Sequence, residues 1–202
     1  MYFDAFIHGF FICAGLIIAI GAQNAHVLRM GLTRQHVGLL VPICIASDAL
    51  LIGLGVLGAS ALVTRWPAAL EVATWAGAAF LLWYGINSLR EAFRTRQLSL
   101  GGMPTPISRR KAVLLLLGFT YLNPHVYVDT IVLIGSLATQ HAVEARISFW
   151  AGCVLASAVW FVLLGYGARW LAPLFNRPLS WRVLDGGIGV GMTLLAVRLV
   201  LH

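Results

Sequence analysis

Long uncharged, apolar stretches alternate with short polar breaks along the whole chain. Residues 5–28, 72–89 and 147–168 contain no Asp, Glu, Lys or Arg. Asp48 is the sole charge between Arg34 and Arg65, and Asp129 the sole charge between Lys111 and Glu144. A bilayer core of about 30 Å takes about 20 apolar residues in a helix. The pattern predicts six membrane-spanning helices, at roughly 5–27, 38–62, 70–90, 112–137, 147–170 and 183–201; the sixth has the weakest pattern and carries Asp185 and Arg198. The expected fold class is an all-α integral membrane protein, one transmembrane domain over residues 1–202. The first stretch is read as a retained span rather than a cleaved signal peptide. Met1–Phe10 holds no Lys or Arg, and a signal peptide needs a positively charged start.

The one polar linker of any length is 91–111, EAFRTRQLSLGGMPTPISRRK. Its Gly, Pro and Ser content predicts irregular structure. Three spans precede it and three follow, giving repeat one at about 1–90 and repeat two at about 112–202. Because three is odd, two related halves would lie in opposite orientations, the inverted repeat of many secondary transporters.

Composition narrows the class further. The 202 residues are 60% hydrophobic and 10% charged, with a mean hydropathy of +0.88. A soluble domain carries about a quarter charged residues to face water. The net charge of +7 does not point to nucleic acid, because the basic residues sit between uncharged runs rather than on one face. Eleven of the 14 Lys and Arg fall in the loops after the first, third and fifth spans. The positive-inside rule places those loops in the cytoplasm and both termini outside. Cys13, Cys44 and Cys153 lie apart within apolar runs and read as buried thiols, not as a metal site. No cofactor is expected.

The two halves share a short motif. Gln23-Asn24-Ala25-His26 in half one answers Leu122-Asn123-Pro124-His125 in half two, each in the first span of its half. Pro124 interrupts the helical hydrogen-bond ladder, and Gly21 is the matching weak point. One such site alone reads as an ordinary proline kink; two at matching places point to a binding centre. A half-helix end at membrane depth attracts an anion such as a substrate carboxylate, so Gln23, Asn24 and Asn123 are expected to bind substrate.

Asp48 and Asp129 fall inside spans, where a charged side chain costs about 2.5–3.5 kcal/mol and usually faces the bundle interior. A protonated Asp held by a hydroxyl is the bland reading. Two acids with no intramembrane cation favour a cationic ligand and proton traffic. His125, with His26, belongs to the repeated motif and is expected to take part in proton coupling with the two acids, since imidazole titrates near neutral pH. Asp185 follows Arg182 by three residues and reads as half of an interfacial ion pair; His8, His36, His141 and His202 are given no role. Trp66, Trp150, Trp170 and Trp181 are expected as interfacial anchors, and Trp75, Trp83 and Trp160 in packing. Gly53-Leu54-Gly55-Val56-Leu57-Gly58 matches a dinucleotide-binding pattern but lacks the βαβ context, so close helix packing is the better reading. Gly187 and Gly191 read the same way.

GAQNAHVLRMGL (21–32), ASDALLIGLGVLG (46–58), WAGAAFLLWYGINSLREAF (75–93) and YLNPHVYVDTIVLIGSL (121–137) together resemble the LysE superfamily of amino-acid exporters, nearest its lysine/arginine exporter branch. The resemblance implies export of arginine or lysine across the bacterial cytoplasmic membrane, with proton antiport as the coupling. It carries the family's intramembrane acids onto Asp48 and Asp129, and its Asn and Asn-Pro positions onto Asn24 and onto Asn123 and Pro124. Ala22 stands where the family often has Pro, and Asp185 where it often has Asn. No nucleophile with an evident base occurs in the spans, so no enzyme is expected. The alternative is a channel-like or broader small-metabolite efflux pore. The oligomeric state is left open, a homo-oligomer included.

Overall fold

A computed structural model of the chain describes residues 2–18, 21–58, 67–93, 106–176 and 178–201, and these are helical with no strand among them. The helices are α1 (Tyr2–Ile17), α2 (Ala22–Leu32), α3 (Val37–Val56), α4 (Pro67–Phe93), α5 (Arg109–Tyr121), α6 (Pro124–Ala138), α7 (Arg146–Leu171) and α8 (Pro178–Leu201). Within α6, Val128–Leu133 form a wider π-helical turn. Among the described residues, each of the six segments that the pattern marks falls mainly on a helix or on a broken pair; residues 19–20 and 59–62 of the first two lie outside them. Residues 94–105 of the linker, and Arg65, Trp66, Arg177 and His202, lie outside the described residues.

Length and hydropathy set the membrane content. α3, the segment Val143–Phe175 that contains α7, and Leu179–Leu201 within α8 are each long and apolar enough to cross a bilayer. The pair α1 and α2, inclined at 82°, makes a fourth crossing if counted as one span. α4 and the broken pair α5–α6 are outside that set. α4 is outside it despite its length, and neither α5 nor α6 alone has a span's length. The outer surface suits lipid: Phe3, Phe11, Leu57, Phe93, Ile147 and Leu194 all stand mostly exposed. In water such a surface would be a liability. The chain is therefore a multi-pass membrane protein.

The breaks have local causes. Gly21 is extended (φ −105°, ψ 177°) and leads into α2, and no side chain caps that start. Asn123 is also extended (φ −96°, ψ 107°), and its Oδ1 accepts from the His125 amide at 3.2 Å. Pro124 follows at the first helical position, where its missing N–H costs nothing.

α4 runs along α8 and α1 along α7. The second crossing is tight, because a Cβ added at Gly9 would overlap the Phe149 carbonyl and one at Gly152 the Phe6 carbonyl. With no hydrophobic drive between helices in lipid, such close backbone approach is what holds them together. Gly55 packs in the same way against Ile131 and Gly135 of α6. Gly187 and Gly191 do not; a Cβ at either meets only open space among the described residues, and Gly189 makes the contact instead, against Leu89. Trp75 and Trp83 also depart from expectation, standing exposed on α4, while Trp181 is buried and donates to the Phe175 carbonyl. All three cysteines are free and buried.

Candidate functional site

Five polar side chains that the sequence singles out line one interior cavity of about 140 Å³: Gln23, Asn24, Asp48, Asn123 and Asp129. Gly21 lines it too, with an apolar remainder that includes Ile17, Ile52, Phe119 and Phe161. The cavity opens where α2 and α6 start, against the middle of α3. Its volume is below the ~300 Å³ of ordinary small-molecule pockets.

Asp48 is 7% exposed and sits in the fourth turn of α3. Its Oδ2 accepts from the Ser157 hydroxyl of α7 at 2.6 Å. A buried carboxylate with one hydroxyl donor is poorly compensated, since a buried charge is costly unless paired. Asp129 comes from the π-helical turn of α6, and it lines the cavity with Thr130 and with Val126 of the preceding α-helical turn. Asp129 is more open to its surroundings than Asp48. Neither acid forms an ion pair among the described residues.

The donors are arranged unequally. The Gln23 Nε2 is buried without a hydrogen-bond partner among the described residues. An orphan buried donor beside a cavity marks a place for an acceptor. Asn24 is engaged at both ends instead. Its Nδ2 donates to the Ile17 carbonyl at 2.8 Å and its Oδ1 accepts from Trp160 Nε1 at 3.3 Å. It thus ties the break after α1 to α7.

The family model described as LysE type translocator matches residues 14–202. The chain belongs to the LysE family. A relative named arginine exporter protein ArgO, from Yersinia enterocolitica, is 42% identical over 194 residues, covering 96% of this chain and 95% of its own. Another of that name, from Serratia proteamaculans, is 42% identical over 195 residues, with 96% and 95% covered. No solved structure matches. The LysE assignment makes this chain an amino-acid transporter rather than an enzyme, on the branch that holds the arginine exporters.

Several residues of this LysE protein sit elsewhere than their sequence neighbours suggest. His125 is exposed and does not line the cavity. His26 is buried away from it, its Nε2 against the Ala112 carbonyl at 3.0 Å and its ring on Phe119. Asp185 pairs not with Arg182 but with Arg29 of α2, at 2.8 Å, and is 1% exposed. Tyr84 of α4 is buried beside Arg29 and Asp185, so this cluster joins α2, α4 and α8. Arg29 is thereby a structural charge within the bundle, not one of the free basic residues of a loop. Ser157 and Trp160 are site residues that the sequence reading missed. Their only signal is a polar and an aromatic position at helical spacing, with Phe161, on an otherwise apolar α7.

Proposed function

We propose that the chain is a secondary active exporter of basic amino acids, arginine or lysine, that runs on proton antiport in the bacterial inner membrane. In this reading it has six membrane crossings, built as two inverted three-helix repeats around the central cavity, with both termini outside. The observation that carries it is the meeting of Asp48, Asp129 and the orphan Gln23 amide at one small interior cavity. Relatives that carry the name arginine exporter, matched over nearly the whole chain, add weight.

The roles follow from charge and geometry. The cationic side chain of the cargo goes to Asp48 and Asp129. Its α-carboxylate goes to Gln23 Nε2, to the uncapped amides that open α2 after Gly21 and to the Asn123 side-chain amide; the start of α6 offers no backbone donor, since Pro124 has no N–H and the His125 amide is held by Asn123. Asn24 holds the break in place rather than meeting cargo directly. When no cargo is bound, a proton neutralises the acids instead, so the two cargoes compete for one site. Moving a cation outward against an inside-negative potential costs about 2.3 kcal/mol per 100 mV. One proton returning for each cation cancels that cost and leaves the pH gradient as the drive.

Counterflow in proteoliposomes tests this. Arginine or lysine inside should accelerate uptake of labelled arginine, and citrulline, nearly the same shape without the charge, should not. Equal acceleration by citrulline contradicts the role of the acids, and flux that does not saturate favours a pore.

A further inference from the structure

Arg34, Arg109 and Arg169 come from three separate stretches of chain, yet they line a single open cleft of about 670 Å³. Arg34 lies between α2 and α3, Arg109 starts α5 and Arg169 lies in the last turn of α7. No acidic side chain lines the cleft, and none pairs with these three arginines among the described residues. Gly31 and Gly165 line it as well, where α2 and α7 nearly touch.

The cleft is built rather than incidental. Arg34 (φ 54°) and His36 (φ 56°) are the two non-glycine residues with left-handed backbones among the described residues. The turn is pinned to the segment leading into α5: Gln35 Oε1 accepts from the Ile107 amide at 3.0 Å, and His36 Nε2 donates to the Ile107 carbonyl at 2.8 Å. Val37 and Gly38, the opening residues of α3, also line the cleft, and no side chain caps that helix. Uncapped amides and three guanidinium groups on one concavity select an anion with several oxygens. Its rim is apolar, since Leu39 and Tyr166 are exposed there and Trp170 stands beside Arg169. A free anion has no use for that rim; a lipid does. Basic pockets between membrane helices suit phospholipid headgroups.

We propose that this cleft is a lipid site, in which the phosphate of an anionic phospholipid sits among Arg34, Arg109 and Arg169 while its acyl chains follow the exposed faces of Leu39 and Tyr166. All three arginines lie at the end of the bundle that the charge distribution assigns to the cytoplasmic side, so in this proposal the lipid comes from that leaflet. None of them lines the central cavity, and lipid binding stands or falls independently of transport.

The test is thermal unfolding of the purified full chain in detergent, titrated with phosphatidylglycerol, phosphatidylcholine or inorganic phosphate. Phosphatidylglycerol should raise the unfolding temperature saturably. Each of Arg34→Gln, Arg109→Gln and Arg169→Gln should raise its half-maximal concentration about fivefold, and the triple variant about a hundredfold. The single variants carry the test even if the triple variant does not fold. An equal shift from phosphatidylcholine, an unchanged titration in the single variants, or the same shift from inorganic phosphate at equal concentration would overturn the proposal.

Discussion

Replacing Asp48 by Asn removes one charge from the cavity while keeping its shape. In the protein Asp48 Oδ2 accepts from Ser157 at 2.6 Å, and the Asn carbonyl can accept the same bond. The fold should therefore persist, and because the empty site holds its acid neutralised, the unfolding temperature should stay close to that of the wild type. What is lost is a charge-assisted contact to the cargo, worth about 1.5–3 kcal/mol. At about 1.4 kcal/mol per decade, arginine half-saturation should rise roughly ten- to 150-fold. The assay is arginine counterflow in proteoliposomes over a range of concentrations, on protein shown to be folded by its unfolding curve. Asp48→Glu keeps the charge but adds a methylene beside a cavity of about 140 Å³, so it should fall between wild type and Asp48→Asn. A half-saturation within twofold of wild type for folded Asp48→Asn would refute the reasoning.

Three further outcomes are expected. Gln23→Leu should weaken arginine binding several-fold and leave agmatine, which lacks the α-carboxylate, unchanged; equal loss for both ligands would remove Gln23 from carboxylate binding. Arg29→Ala strands Asp185 as a buried charge and should cost about 3–5 kcal/mol of stability, read by thermal unfolding. Pairing it with Asp185→Leu should recover much of that loss. Gly152→Ala forces a Cβ onto the Phe6 carbonyl and should cost about 1–3 kcal/mol in the same assay, and an unchanged curve would contradict the tight α1–α7 crossing.

The helices were legible in the sequence because charge is costly in lipid, so the gaps between charged residues trace the apolar segments. The cavity acids were legible for the same reason: Asp48 and Asp129 each stand alone in an apolar run, and both line the cavity. Their partners were not. Ser157 is unremarkable in an apolar helix, and only the packing of α3 on α7 brings it to Asp48. Arg182 looked like the partner of Asp185 because it is near in sequence, whereas the packing of α2 on α8 brings Arg29 there. His125 shares the doubled motif but stands exposed and does not line the cavity, as Val126, Asp129 and Thr130 do. The repeat in sequence marked the place of the break, not the direction of each side chain.

The most direct test of proton and cation competing for the same two acids is the lumenal pH of arginine-loaded proteoliposomes, followed with a trapped dye. Arginine leaving down its gradient should acidify the lumen in the wild type, and the paired variant Asp48→Asn with Asp129→Asn should abolish that change. Arginine efflux that proceeds at the wild-type rate with no movement of lumenal pH would contradict the account.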